Sequence, residues 1–163
     1  MNLDNPFETF EESAFRLEAL PQYLVENEKI ALGHFISTGK LPKFFDSEWR
    51  ELVKKNIQSG KTMHRLRLLS DELTDYEKFE TQIYTGSEVG EEIRANLRSA
   101  YADKYQYDFW LFDNYWIAEV IYENDGTFVR FDLRVATKDE LEYAKYWLNI
   151  FEHSKQLVDF LYT

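Results

Sequence analysis

The chain has 163 residues, and 19 Lys+Arg stand against 30 Asp+Glu, a formal net charge of −11. That length suits one domain, and 44% apolar residues is too many for a disordered chain. Zero cysteine excludes disulfides, thiol catalysis, iron–sulfur clusters and thiolate zinc sites, and the acidity disfavours wrapping of nucleic-acid phosphate.

Residues 1–6 show neither the basic stretch nor the apolar core of a secretory signal. The apolar runs fall far short of the ~20 residues that cross a bilayer. The expectation is a cytoplasmic protein with no membrane partner.

Asn5-Pro6 can open a helix, and Phe7, Phe10, Ala14 and Phe15 continue at helical spacing, which predicts a helix over 6–18. Leu20-Pro21 ends it. A second helix fits 26–37, stopped by Gly39, and a third fits 47–58, with Trp49, Leu52, Val53 and Ile57 on one face. Residues 63–69 read as a strand. Thr74 with Glu77 forms a capping box that opens a helix over 75–85, and Gly86 and Gly90 bracket a loop. Alternation predicts a strand over 93–97. Strands then follow at 108–112, 116–122 and 127–135, joined by turns at Asp113-Asn114 and Asn124-Asp125-Gly126. Such short connections make the three strands an antiparallel meander. Thr137 and Glu140 form a second capping box, from which one long helix runs to about 161. The fold class is therefore α+β. It is read as a mixed, largely antiparallel sheet of about five strands within a single domain, with residues 1–60 as a helical cap and 61–163 as the sheet and its helices.

Charge is unevenly placed. Residues 1–28 carry −6, 29–70 carry +6 and 71–163 carry −11. The basic middle most simply salts against the acidic parts. Alternatively, the acidic parts form a field for a basic partner.

The chemical motifs point away from most catalysis. His34, His64 and His153 lie on different predicted elements, without the spacing of metal ligands, so no metal is expected. The glycines form neither GxGxxG nor a P-loop, and GxSxG is absent, so no cofactor is expected either. Asp108 and Asp113 are too far apart along a strand to act as a glycosidase pair. Glu91-Glu92 reads as a solvated loop pair. Eight aromatics between Tyr101 and Trp116, Trp110 among them, form either a core strand or a recognition surface.

Three blocks together carry a resemblance. They are Phe15-Arg16-Leu17-Glu18-Ala19-Leu20-Pro21, Arg65-Leu66-Arg67 through Asp75-Tyr76-Glu77-Lys78-Phe79-Glu80 to Gly90-Glu91-Glu92-Ile93-Arg94, and Asp108-Phe109-Trp110-Leu111-Phe112-Asp113. The chain resembles an uncharacterised bacterial domain family often encoded beside helix-turn-helix regulators. Thr74 and Lys78 stand where that family has Ser and Arg. The family in turn is similar to the phospholipase D-like fold without its catalytic motif. Here Leu66 occupies the lysine position two residues after His64.

The polar residues of these blocks leave two roles open. Arg65, Arg67, Asp75, Arg94 and Asp108 form either structural ion pairs or a cleft in which arginines clamp a phosphate and a carboxylate acts as base. With Tyr76, Trp110 and Trp116 they are the candidate partner- or ligand-binding residues. The favoured function is a non-enzymatic acidic protein that binds a protein partner, of basic character. It is either an immunity-type protein that neutralises a toxin or a companion of a transcriptional regulator. The alternative is a phosphodiesterase-like enzyme or a phosphate-binding domain.

Overall fold

A computed structural model describes residues 1–43, 47–86 and 89–163. The sheet has seven strands: β1 (Ser13–Glu18), β2 (Thr62–Leu69), β3 (Glu92–Leu97), β4 (Phe109–Phe112), β5 (Trp116–Tyr122), β6 (Phe128–Val135) and β7 (Lys155–Gln156). Their order across the sheet is β6-β5-β4-β1-β2-β3-β7. The helices are α1 (Pro6–Thr9), α2 (Lys29–Thr38), α3 (Ser47–Gln58), α4 (Asp75–Thr85), α5 (Lys138–Glu152) and α6 (Leu157–Leu161). The class is α+β, and the sheet has seven strands instead of about five.

The meander β4-β5-β6 is antiparallel, whereas β1-β2 and β2-β3 are parallel. The β1-to-β2 crossover contains α2 and α3, and the β2-to-β3 crossover contains α4. Antiparallel pairing of β1 with β4 joins the two halves. Asp113 and Asn114 have φ of 55° and 50°, both left-handed, in the three-residue connection between the paired Phe112 and Trp116.

Two sequence expectations are corrected here. The predicted helix over 6–18 stops at Thr9, and residues 13–18 form β1 in the middle of the sheet. Phe15 and Leu17 face one side while Arg16 and Glu18 face the other, and both faces are buried; the helical spacing of Phe7, Phe10, Ala14 and Phe15 overrides this short period of two. The helix predicted to run to about 161 ends at Glu152, and β7 and α6 follow. The apolar stripe continues past the break because Leu157 packs on Leu69, Ile93 and Ala95. The capping boxes at Thr74 and Thr137 are both formed.

Each sheet face is covered. On one side Phe15, Leu17, Leu66, Leu68, Phe109, Leu111 and Ile117 pack on Ala144, Trp147 and Phe151 of α5. On the other, Ala14, Met63, Trp110, Phe112, Ala118 and Val120 pack beneath Val53 of α3 and Phe7 of α1. Phe109, Trp110 and Phe112 are thus core residues, while Tyr115 is exposed.

Candidate binding cleft

Alternation in β1 and β2 sends Arg16, Glu18, Arg65 and Arg67 to the same face, the one under α3 and α4. There they meet Tyr23, the α4 side chains Tyr76, Glu80 and Tyr84, and Trp110 of β4. A cleft of about 870 Å³ opens above them. Its rim carries Glu8 and Phe7 from α1, Glu28, Glu48 and Trp49 from α3, and Phe131 from β6.

The floor is a network of buried ions. Arg65 bonds Glu91 through Nε at 2.8 Å and donates from Nη1 to Tyr84 Oη at 3.0 Å and to Glu18. Its guanidinium lies 4.9 Å from the Tyr84 ring centre and 5.3 Å from that of Trp110. Arg67, fully buried below the cleft, bonds Glu80 at 2.5 Å and the Leu68 carbonyl at 2.9 Å. Asp108 is also fully buried. It accepts from the Ala19 N–H at 3.0 Å, from Tyr105 Oη at 3.0 Å, from Arg16 Nη2 at 3.4 Å and from the Tyr23 hydroxyl. Charge-assisted bonds of this kind offset the cost of burying ions.

Burial raises the Tyr23 hydroxyl well above its ordinary pKa, and Asp108 raises it further. Burial does the same to Tyr84, more strongly than Arg65 draws it down. Both therefore stay neutral and serve as hydrogen-bond donors. Burial alone lowers the pKa of Arg16, but Tyr122 and Asp108 beside it more than reverse this, so it stays charged. Arg16 lines the cleft at 5% exposure, and its Nη1 has no hydrogen-bond partner among the described residues.

The structure gathers Arg65, Tyr76 and Trp110 at the cleft and sets Arg67 and Asp108 beneath it as buried ions with separate partners, Arg67 with Glu80 and Asp108 with Arg16 and Tyr23. It places the remaining candidates elsewhere. Asp75 sits in the solvent-facing first turn of α4, near Lys78. Arg94 lies on the opposite sheet face, where it stacks on Phe151 at 4.8 Å and bonds the Glu152 carbonyl at 2.8 Å. Trp116 is half-buried among the side chains under α1 and α3 and does not line the cleft. His64 also faces α5 and stacks on Phe151. The five groups of the phosphodiesterase reading thus do not meet in one pocket. Glu91, read as solvated, has a side chain only 6% exposed.

Sequence reasoning missed Arg16, Glu18, Tyr84, Glu91 and Trp49 as cleft residues. The available signal was the apolar–charged alternation Phe15-Arg16-Leu17-Glu18. Among the described residues no group of three or more His, Cys, Asp or Glu is placed to hold a metal ion, and no helix is long and apolar enough to cross a membrane.

A family model for a domain of unknown function, DUF6879, matches residues 1–162. The chain belongs to the DUF6879 family. A search of curated proteins returns no match. Among solved structures, an archaeal chromatin protein, TrmBL2, whose description reports a novel mode of DNA binding, is similar at 10% identity and a TM-score of 0.44. The alignment covers 93% of this chain and 48% of that one, so the chain spans about half of that protein's length. A likeness of that size carries no argument about what this DUF6879 domain binds.

Proposed function

We propose that this DUF6879 chain is a non-enzymatic binding domain whose cleft receives a basic segment of a protein partner. The observation that carries the reading is the charge of the cleft. Among the described lining residues six are carboxylates (Glu8, Glu18, Glu28, Glu48, Glu80 and Glu91) and two are arginines, both already engaged by carboxylates. The surplus of negative charge favours a cation at the rim. Trp49, Phe7 and Tyr76 add ring faces that attract lysine or arginine. A phosphate dianion suits the cleft less well, because it meets this acidic rim. The partner in view is a toxin that the domain neutralises or a helix-turn-helix regulator that it accompanies.

Calorimetric titration with an oligo-arginine peptide tests this. Binding that weakens with salt, and is abolished by Ser47→Trp at the exposed rim, is the expected result. Equal binding of an oligo-glutamate peptide, or none of the arginine peptide at low salt, overturns it.

A further inference from the structure

The sheet has one long open edge. β6 lies at the end of the strand order with eight residues, whereas the other end is the two-residue β7. Exposed strand edges invite pairing, and proteins ordinarily blunt them. Among the described residues, backbone pairing covers β6 at its start. Leu24 bridges Thr127, the Phe128 N–H reaches the Leu24 carbonyl at 3.4 Å, and the β5–β6 register is irregular opposite Ile121 and Tyr122. Beyond that, no described residue pairs with the outer edge of residues 130–135.

This run presents both backbone groups and apolar side chains. The Ala136 N–H bonds the Tyr115 carbonyl, so the alternation of an antiparallel ladder turns the backbone of 132 and 134 toward β5 and that of 131, 133 and 135 outward. Phe131 is 46% exposed and Val135 45%. Charge alternates with them as Arg130, Asp132 and Arg134.

We propose that this edge pairs antiparallel with the same edge of a second copy, about a two-fold axis at Leu133. That register sets Phe131 against Val135 of the other copy, so the two exposed apolar side chains cover each other, and sets Asp132 against Arg134. An axis at Asp132 sets Asp132 against itself and Arg130 against Arg134. An axis at Phe131 brings Val135 onto Thr127, where Leu24 already lies. An axis at Arg134 sets that arginine against itself, so of these four registers the pattern favours the one at Leu133. A single strand pair is small for an interface, so the dimer is weak. Two copies each carrying −11 repel, so it tightens as salt rises, opposite to the peptide binding proposed for the cleft.

Sedimentation of the full chain over a concentration and salt series tests the pairing. Reversible dimers that strengthen with salt are expected. Val135→Pro removes an outward N–H and leaves the bonds to β5, and it weakens the dimer by about tenfold or more with the fold intact by circular dichroism. The chain has no cysteine, so Leu133→Cys reads the register directly. Opposed residues of a hydrogen-bonded pair stand ~5.5 Å apart at Cα, within disulfide reach. Leu133→Cys cross-links on oxidation, whereas Tyr115→Cys, exposed and away from the axis, does not. A monomer at every concentration and salt, a dimer indifferent to Val135→Pro, or equal cross-linking of both cysteine variants overturns the proposal.

Discussion

Arg67 carries its charge where no water reaches it, and Glu80 answers it at 2.5 Å with Glu77 and Glu18 close by. Removing one partner leaves a buried ion alone, which costs more than the pair contributes. Arg67→Met is expected to lower unfolding free energy by about 3–5 kcal/mol, and Arg67→Met/Glu80→Met to recover much of that loss, both read by denaturant titration. Asp113 is the acid-sensitive counterpart. Burial tends to raise its pKa, but the backbone N–H groups of Glu11, Glu12 and Ser13, at 2.9, 2.7 and 3.0 Å, hold it below its ordinary value. A lowered folded pKa stabilises above the unfolded value of ~3.9, and that contribution disappears as pH falls through the folded value. Asp113→Asn is expected to be less stable by about 1 kcal/mol at neutral pH, as when a capping carboxylate is removed. The two stability curves converge in acid. A constant gap down to low pH contradicts this.

At the scale of elements, the hairpin turn before β6 also holds the rim strand in place. Gly126 has φ of +91°, and a Cβ there falls 2.4 Å from the Gln22 carbonyl oxygen. The Leu24 N–H bonds the Gly126 carbonyl at 2.9 Å. Gly126→Ala therefore strains the backbone and pushes residues 22–24 away, and a loss of roughly 1–3 kcal/mol is expected in thermal unfolding. Elements with a clean local signature were legible in the sequence. The capping boxes set the starts of α4 and α5, and the turn residues set the meander. β1 was not legible, because its inward charges on one face imitate the polar face of a helix and their partners lie some fifty to ninety residues away. For the same reason the cleft was only partly legible. Arg65, Tyr76 and Trp110 could be named from their blocks, but the face each occupies depends on strand pairings that no local pattern encodes, and Arg94 went to the wrong side.

Over the whole molecule, the uneven charge of the sequence acquires a spatial meaning. Two of the nine bases in residues 29–70, Arg65 and Arg67, lie inside the fold against Glu18, Glu80 and Glu91. Their charge is consumed by the network under the cleft, and the rim is left acidic with Glu8, Glu28 and Glu48. On the proposed reading, net charge speeds encounter with a basic partner and the cleft is where that partner lands. The most direct test is NMR mapping of the complex with an oligo-arginine peptide. The account predicts that the largest shifts fall on the Trp49 and Trp110 indoles and on Arg16 Nε, with little change along α5. Shifts spread over the acidic surface of α5, with the cleft signals unmoved, contradict it.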